Sequence, residues 1–150
     1  MMTPIRYVVG FPLLRDRTGV VLIRKNRPNW QAGKYNGIGG KVQHPETTTA
    51  AMKREAVEEA GLPEDLDWYQ VGNLRDINRR WTLSFFAVLD DRIHGARTTT
   101  DEAVEFHPVT NVWTLPFVSS NVLVMLSLAL DTSGIALPVP LLDRTPDVRD

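Results

Sequence analysis

Hydrophobic and polar positions alternate along the chain in two different periods, one typical of strands and one typical of helices. Strands are predicted where β-branched and aromatic residues run together between turn residues, over 6–15, 20–24, 35–42, 68–74, 80–89 and 103–109. A helix is predicted over 46–60, where Met52, Ala56 and Ala60 form an apolar stripe at i, i+4 and i+8. A second helix, predicted over 119–130, is apolar nearly all round, and so we expect it to be largely buried.

This order of elements predicts an α/β (α+β) fold in which a mixed sheet lies between helices. The 150 residues suit one domain with a real core, and no internal repeat or boundary divides them. We therefore expect a single domain over 1–150. Its last part, 131–150, contains Pro138, Pro140 and Pro146 and is predicted to be an irregular tail.

Composition and charge argue against several classes of partner. The formal net charge is −1, so we expect no broad basic face for a nucleic-acid polymer or a membrane surface. There is no cysteine, which excludes disulfides and thiolate metal sites and is compatible with a cytoplasmic location. The first residues lack the long apolar segment of a signal peptide, and the longest apolar run, 122–130, is too short to span a bilayer.

The first predicted helix carries a cluster of charged residues: Arg54 is followed by Glu55, Glu58 and Glu59. Gly61, which comes next, is predicted to end the helix. At about 100° per residue, Glu58 and Glu59 fall roughly 60° and 40° to either side of Glu55, so the three carboxylates share one face. Like charges at these spacings destabilise a helix. A solvated acidic face is one interpretation; the other is a site for a hard cation such as Mg²⁺, which binds carboxylates together with substrate phosphates.

The surrounding segment, GKVQHPETTTAAMKREAVEEAGL over 40–62, resembles the signature of the Nudix hydrolase family, G-x5-E-x7-R-E-U-x-E-E-x-G-U, with U a bulky aliphatic residue. The matching positions are Gly40, Glu46, Arg54, Glu55, Glu58, Glu59, Gly61 and Leu62. Ala56 stands where a larger aliphatic residue is usual, and Pro45 where many members carry glycine. The resemblance implies an α/β/α sandwich that hydrolyses a phosphoanhydride in a nucleotide, with Mg²⁺ as cofactor and Mn²⁺ as a substitute.

The resemblance also implies roles for the residues of this segment. Glu58 and Glu59 would be the main metal ligands, and Glu55 a further ligand or the base that activates water. Arg54 would hold a carboxylate in place, and Glu46 would be structural, interacting with the helix dipole. A backbone carbonyl of Gly39 or Gly40 and an acid outside the segment would complete the metal site. For that acid we favour Glu102, with Asp101 second.

The preceding loop, NWQAGKYNGIGGKV, resembles the oxidised-purine nucleoside triphosphatases, the MutT-type branch of the family. The positions that carry this resemblance are Trp30, Gly33, Tyr35, Asn36, Gly37, Gly39, Gly40 and Lys41. Trp30 would stack on a base, and Asn36 would read a purine edge. The alternatives are that Trp30 covers a sheet edge and that Asn36 and Gly37 form a turn.

Further substrate contacts are predicted outside this loop. Asn121 opens the last helix, where MutT-type enzymes place an asparagine that contacts the base; it is also a natural helix cap. The acidic pair that human-type enzymes place nearby is missing here. Arg24, Lys25 and Arg27 form a basic cluster that would meet the outer phosphates or remain a solvated loop.

Three functions fit these residues. The first is an Mg²⁺-dependent pyrophosphohydrolase of 8-oxo-dGTP or another nucleoside triphosphate, releasing pyrophosphate and a nucleoside monophosphate. The second keeps the chemistry but acts on ADP-ribose, a dinucleoside polyphosphate or another nucleoside diphosphate derivative. The third is a binding or regulatory module without catalysis. The partner is a small nucleotide in each case, and the apolar last helix or the proline-rich tail offers a surface for a homodimer.

Overall fold

The computed structural model describes residues 3–132 and the backbone of residues 139–143. These residues form two α-helices and eight strands, joined by turns and short 3-10 segments. The helices are α1 (Thr48–Ala60) and α2 (Ser120–Leu130). The strands are β1 (Ile5–Leu13), β2 (Gly19–Arg24), β3 (Tyr35–Asn36), β4 (Ile38–Lys41), β5 (Tyr69–Asp76), β6 (Trp81–Leu89), β7 (Ala103–Pro108) and β8 (Val139–Asp143).

The strands form one mixed sheet in the order β3-β2-β1-β6-β5-β8, with β4 paired to β1 and β7 paired to β2. β1 lies parallel to β6 and antiparallel to both β2 and β4. β4 takes the first part of β1, with Val9 opposite Gly39, whereas β2 meets β1 near its end, with Leu13 opposite Val20. The two strands therefore share one edge of β1, and the glycine-rich β4 lies beside the sheet centre.

Each face of the sheet is covered by one helix. On one face, Val8 and Phe86 pack with Met52 and Ala56 of α1; Met52, Ala56 and Ala60 are all fully buried. On the other face, Phe11 and Phe85 pack with Val122, Met125 and Leu126 of α2. Neighbouring strand residues alternate between the two clusters, as a pleated sheet requires. The predicted sandwich and the buried stripe of α1 are confirmed.

Two predicted elements need correction. Residues 131–150 are not irregular throughout, because Val139–Asp143 forms β8, parallel to β5. Pro140 misled the prediction, since proline is tolerated on an edge strand such as this one. The first helix begins at Thr48 rather than Glu46, because the Thr47 hydroxyl caps it by accepting a hydrogen bond from the Ala50 N–H at 3.1 Å.

α2 is less buried than its composition predicted. Val122, Met125, Leu126 and Ala129 face the sheet, whereas the side chain of Val124 is 45% exposed. Within the described residues, no helix combines the length and the hydropathy that crossing a membrane requires.

Candidate active site

Arg54 organises the acidic face of α1. Its Nη2 donates to Glu46 at 2.7 Å and to the Lys41 carbonyl at 3.0 Å, while its Nη1 donates to Glu55 at 2.9 Å and to Glu58 at 3.1 Å. Glu46 lies directly ahead of the Thr47 cap, accepts the Gln43 N–H and anchors Arg54; its predicted interaction with the helix dipole stays a prediction. One guanidinium thus ties the loop before α1 to two of the three carboxylates.

Glu59, the third carboxylate, lies in a different environment. Its Oε2 accepts a hydrogen bond from the Gly39 N–H at 3.3 Å. Burial, together with the nearby charge of Glu55, raises the pKa of Glu59 to about 7. Burial also raises the pKa of Glu55, although its ion pair with Arg54 opposes the shift. Both groups are therefore held where ionisation is costly unless a cation joins them.

The glycines of β4 are required by this arrangement. A Cβ on Gly40 would lie 2.6 Å from the carboxyl carbon of Glu55, and a Cβ on Gly39 would overlap the Val8 carbonyl. Contacts this close are not seen for real Cβ atoms. The absence of side chains at these two positions lets the end of α1 rest directly on β4.

The three glutamates do not converge on a single point. Among the described residues, no group of three acidic or histidine side chains is arranged as a complete metal site. Arg54 draws Glu55 and Glu58 to one side, and the Glu58 side chain is 57% exposed. The donor set nevertheless suits a hard dication, because two carboxylates with raised pKa values lie together beside an exposed third one.

Glu102, the predicted ligand from outside this segment, is buried but already bonded. Lys25 Nζ donates to its Oε1 at 2.8 Å, and the Asn26 N–H donates to its Oε2 at 2.7 Å. Burial acts to raise the pKa of Glu102, but these bonds outweigh it and leave the pKa below its usual value. Asp101, the second choice, is bound by Arg27. Glu102 therefore fixes Lys25, and the charges of both residues are felt at Glu59.

A cavity of about 750 Å³ begins at Glu59 and runs along the α2 face of the sheet. Glu59, Gly39, Gly40 and Lys25 line the end nearest α1. The remaining walls are mostly apolar and aromatic, and include Tyr7, Val9, Ile23, Pro28, Trp30, Leu74, Trp81, Leu83, Phe85, Val118 and Val122. Acidic groups at one end and an apolar chamber beyond them are what a ligand with a charged and a flat apolar part requires.

The structure brings two of the predicted base contacts to this cavity. Trp30 and Asn36 both line it. The Asn36 side-chain oxygen accepts the Gly37 N–H at 2.8 Å, so the amide N–H groups are the donors that this side chain has to offer a ligand. Asn121 does not line the cavity, although Val118, Ser119 and Val122 around it do.

Four other predicted substrate residues lie elsewhere. The Tyr35 hydroxyl donates to Glu105 at 2.9 Å, and its ring packs edge-on against His107, away from the chamber. Arg27 forms a two-pronged ion pair with Asp101, at 2.7 Å for each contact. The side chains of Arg24 and Lys41 are exposed outside the chamber, and Arg24 lines a second hollow of about 330 Å³. For Arg24, Tyr35 and Lys41 the cause is strand alternation, which points neighbouring side chains to opposite faces, whereas Arg27 lies in the loop after β2.

Sequence reasoning missed three residues of the far wall. Asp76, Arg80 and Trp81 line the chamber at the hairpin between β5 and β6. A signal existed, because Asp76 is two residues from the apolar Leu74 and must share its face of the strand. Lys25, predicted as one of a basic cluster, is the member of that cluster that reaches the chamber.

A model of the NUDIX domain matches residues 4–125, which include every element described above except the second half of α2 and the whole of β8. The chain belongs to the Nudix family. Its predicted family membership is confirmed, and the glutamates of α1, Gly39 and Gly40 all lie within the matched Nudix segment.

Individual relatives support the same assignment. The chain is 44% identical over 57 residues to a Danio rerio protein described as oxidized purine nucleoside triphosphate hydrolase, over 38% of this chain and 36% of that protein. It is 33% identical over 84 residues to the Mus musculus protein of the same description, over 55% and 53%. These matches span about half or less of either relative. The crystal structure of a NUDIX hydrolase from Nitrosomonas europaea shares the fold, with a TM-score of 0.71, 15% identity and coverage of 95% and 81%.

Proposed function

We propose that this chain is a metal-dependent pyrophosphohydrolase of nucleoside triphosphates, including those with an oxidised purine, and that it releases a nucleoside monophosphate and pyrophosphate in the cytoplasm. The observation that carries the proposal is the placement of Glu59 at the mouth of a chamber with aromatic walls, close enough to Glu55 to feel its charge. The charged part of a nucleotide would lie at the carboxylates, and the base would lie in the chamber.

Glu55, Glu58 and Glu59 would hold the metal, with Gly39 and Gly40 allowing close approach of the backbone. The half-buried carboxylate of Glu59, with its pKa raised to about 7, favours a cation here. When bound, Mg²⁺ would neutralise phosphate charge and lower the pKa of a water molecule. Arg54 keeps the Glu55 carboxylate in one orientation and so fixes where it can accept a proton.

Lys25 is the residue best placed to meet the phosphates. Its ammonium group lies at the same end of the chamber as Glu59 and is held by Glu102 at 2.8 Å. A positioned cation stabilises the charge of a transferring phosphoryl group without needing to reorganise. Glu102 then acts through Lys25, in place of the direct metal ligation that the sequence predicted.

The chamber supports a purine nucleotide as substrate. Trp30 and Trp81 offer faces on which a base can stack, and Asn36 presents an amide group to its edge. The two vertebrate relatives carry a description that names oxidised purine nucleoside triphosphates. The same chamber would also take the base of ADP-ribose, so the test must include that compound.

The test is hydrolysis with Mg²⁺ of 8-oxo-dGTP, dGTP, the other nucleoside triphosphates and ADP-ribose, compared by kcat/KM. We expect a triphosphate to be preferred, and Glu59→Gln to lower kcat by at least about 100-fold. Glu64→Gln is the matched control, because Glu64 undergoes the same chemical change on an exposed turn five residues away. Preference for ADP-ribose, or an E59Q protein as active as E64Q, would contradict the proposal.

A further inference from the structure

The chamber contains an ion pair that the proposed chemistry does not use. Asp76, at the end of β5, is 3% exposed and lines the wall, and Arg80 pairs with it across the hairpin. Arg80 Nε donates to Asp76 Oδ2 at 2.8 Å, and the Arg80 N–H donates to the same oxygen at 2.9 Å. A buried carboxylate in a mostly apolar wall is costly, so its position calls for an explanation.

Asp76 lies far from the carboxylates of α1. Gly39 is opposite Val9 in β1, Ile5 of β1 is opposite Trp81, and Asp76 follows the pair Arg75–Thr82 at the same end of the sheet. Three strand spacings and four residues along a strand separate the Cα atoms of Gly39 and Asp76 by about 20 Å. A nucleotide whose phosphates lie at Glu59 would therefore extend its base toward Asp76.

The Asp76 carboxylate is ionised, and its hydrogen bonds are uneven in strength. Within the described part of the chain, Arg80 gives Oδ2 two close hydrogen bonds and gives Oδ1 a long one at 3.3 Å, and the backbone of Asn78 gives the carboxylate a further hydrogen bond. The long contact at Oδ1 is the weakest of those from Arg80, so an N–H donor of a ligand can replace it there. Such a group attracts N–H donors and repels a ring nitrogen that presents a lone pair.

We propose that Asp76 selects the base of the nucleotide by accepting hydrogen bonds from the N–H donors of a guanine-type edge, and that Arg80 is the residue that positions it. This inference rests on the proposed function to the extent that the ligand is a nucleotide. Guanine and its 8-oxo form carry a ring N–H next to an exocyclic amino group, and a single carboxylate can accept from both. Adenine places a ring lone pair at the equivalent position, which the carboxylate would repel.

A purely structural role for the pair makes different predictions. Asp76 also closes the β5–β6 turn, and a second aspartate, Asp90, closes another turn with Arg92 through its N–H at 2.9 Å and its Nη2 at 3.0 Å. Asp90 does not line the chamber. If Asp76 were only a turn residue, its replacement would lower the free energy of unfolding, as replacement of Asp90 would, and would leave the preference between bases unchanged.

The test uses binding of nucleoside monophosphates, so that it does not depend on turnover or on a metal. Calorimetry would give Kd for dGMP, dIMP and dAMP with the wild type, with Asp76→Asn and with the matched control Asp90→Asn. dIMP differs from dGMP only in lacking the exocyclic amino group. We expect the wild type and D90N to prefer dGMP over dIMP by about 10- to 100-fold, as for a hydrogen bond to a charged group. We expect D76N to lose most of that preference while still binding dAMP.

The comparison of dGMP with dIMP in the wild type tests the inference even if D76N fails to fold. Equal affinity for the two, a preference kept in D76N, or no binding of any of the three at millimolar concentration would overturn it. Failure of the proposed function is read separately. If the protein discriminates dGMP from dIMP but hydrolyses no triphosphate, the base-reading role of Asp76 stands and the proposed reaction is wrong. If it hydrolyses triphosphates without this discrimination, the proposed reaction stands and the role of Asp76 is wrong.

Discussion

The carboxylate of Glu59 accepts a hydrogen bond from the backbone N–H of Gly39, at 3.3 Å, and this contact joins the end of α1 to the glycine strand β4. It is a weak bond for a half-buried carboxylate. The pKa of Glu59, raised to about 7 by burial and by the charge of Glu55, shows that one N–H does not offset the cost of ionisation.

The first prediction concerns the stability of the metal-free protein. The usual pKa of 4.5 for glutamate rises to about 7 at Glu59, so its contribution to stability is present below about pH 4.5 and is lost as the pH rises through 7. Glu59→Gln removes this loss and should raise the free energy of unfolding at pH 8 by on the order of 1–3 kcal/mol in EDTA. Urea unfolding of E59Q and the control E64Q would measure it.

The same variant should respond less to metal. Addition of Mg²⁺ should raise the melting temperature of the wild type and of E64Q at pH 8, because a ligand that binds only the folded state stabilises it. E59Q should show little rise. A wild type that is insensitive to Mg²⁺, or an E59Q protein that responds equally, would show that Glu59 is not a ligand.

The second prediction concerns Gly40. A Cβ there would lie 2.6 Å from the Glu55 carboxyl carbon, so Gly40→Ala must displace either β4 or the carboxylate. We expect a loss of about 1–3 kcal/mol in the free energy of unfolding, the usual cost of overpacking. Gly95→Ala is the control, because a Cβ on Gly95 meets no atom within 4 Å. Equal stability of the two variants would contradict the packing described.

The third prediction is the acid response of Asp76. Hydrogen bonds from Arg80 lower its pKa from 3.8 to about 2, so its contribution to stability is present above about pH 4 and is lost as the pH falls toward 2. Asp76→Asn should flatten the fall of stability with pH in that range. Urea titrations at pH 2–5 would show it, with the exposed Asp67→Asn as control. An unchanged pH profile in D76N would be inconsistent with this shift.

The fourth prediction concerns Arg54 and Glu46, which a double-mutant cycle can compare with a second ion pair. Arg54 and Glu46 are 21% and 18% exposed, whereas Arg92 and Asp65, 3.0 Å apart, are 50% and 72% exposed. Exposed pairs contribute little because water screens them. Alanine variants should therefore give a larger coupling free energy for Arg54–Glu46 than for Arg92–Asp65. A larger coupling free energy for Arg92–Asp65 than for Arg54–Glu46 would show that Arg54 does not anchor the loop through Glu46.

Local chemistry made much of the fold predictable. The apolar stripe of Met52, Ala56 and Ala60 and the glycine stop at Gly61 defined most of α1, because each acts through neighbours on the same helix. The start of α1 was predicted two residues too early. Glutamate is a common helix residue, and only the hydrogen bond from the Ala50 N–H to the Thr47 hydroxyl shows that the helix begins after Thr47. β8 could not be predicted, because its partner β5 is distant in the sequence and Pro140 is typical of a loop.

The acidic end of the site was predictable, and the far wall was not. The spacing of Glu55, Glu58 and Glu59 is a one-dimensional pattern on a single helix. Which side chains line the chamber depends on strand faces, register and the path of the loop after β2: Trp30 and Asn36 line it, whereas Tyr35 and Arg27 do not. Asp76 reaches the chamber through the pairing of β5 with β6, which no local motif records.

Phosphorus NMR of the products formed from 8-oxo-dGTP or dGTP and Mg²⁺ tests the central claim most directly. A pyrophosphohydrolase that uses Glu55, Glu58 and Glu59 should yield pyrophosphate and the nucleoside monophosphate, with both signals absent for E59Q and present for E64Q. Orthophosphate with a nucleoside diphosphate, or intact triphosphate after long incubation with the wild type, would contradict it.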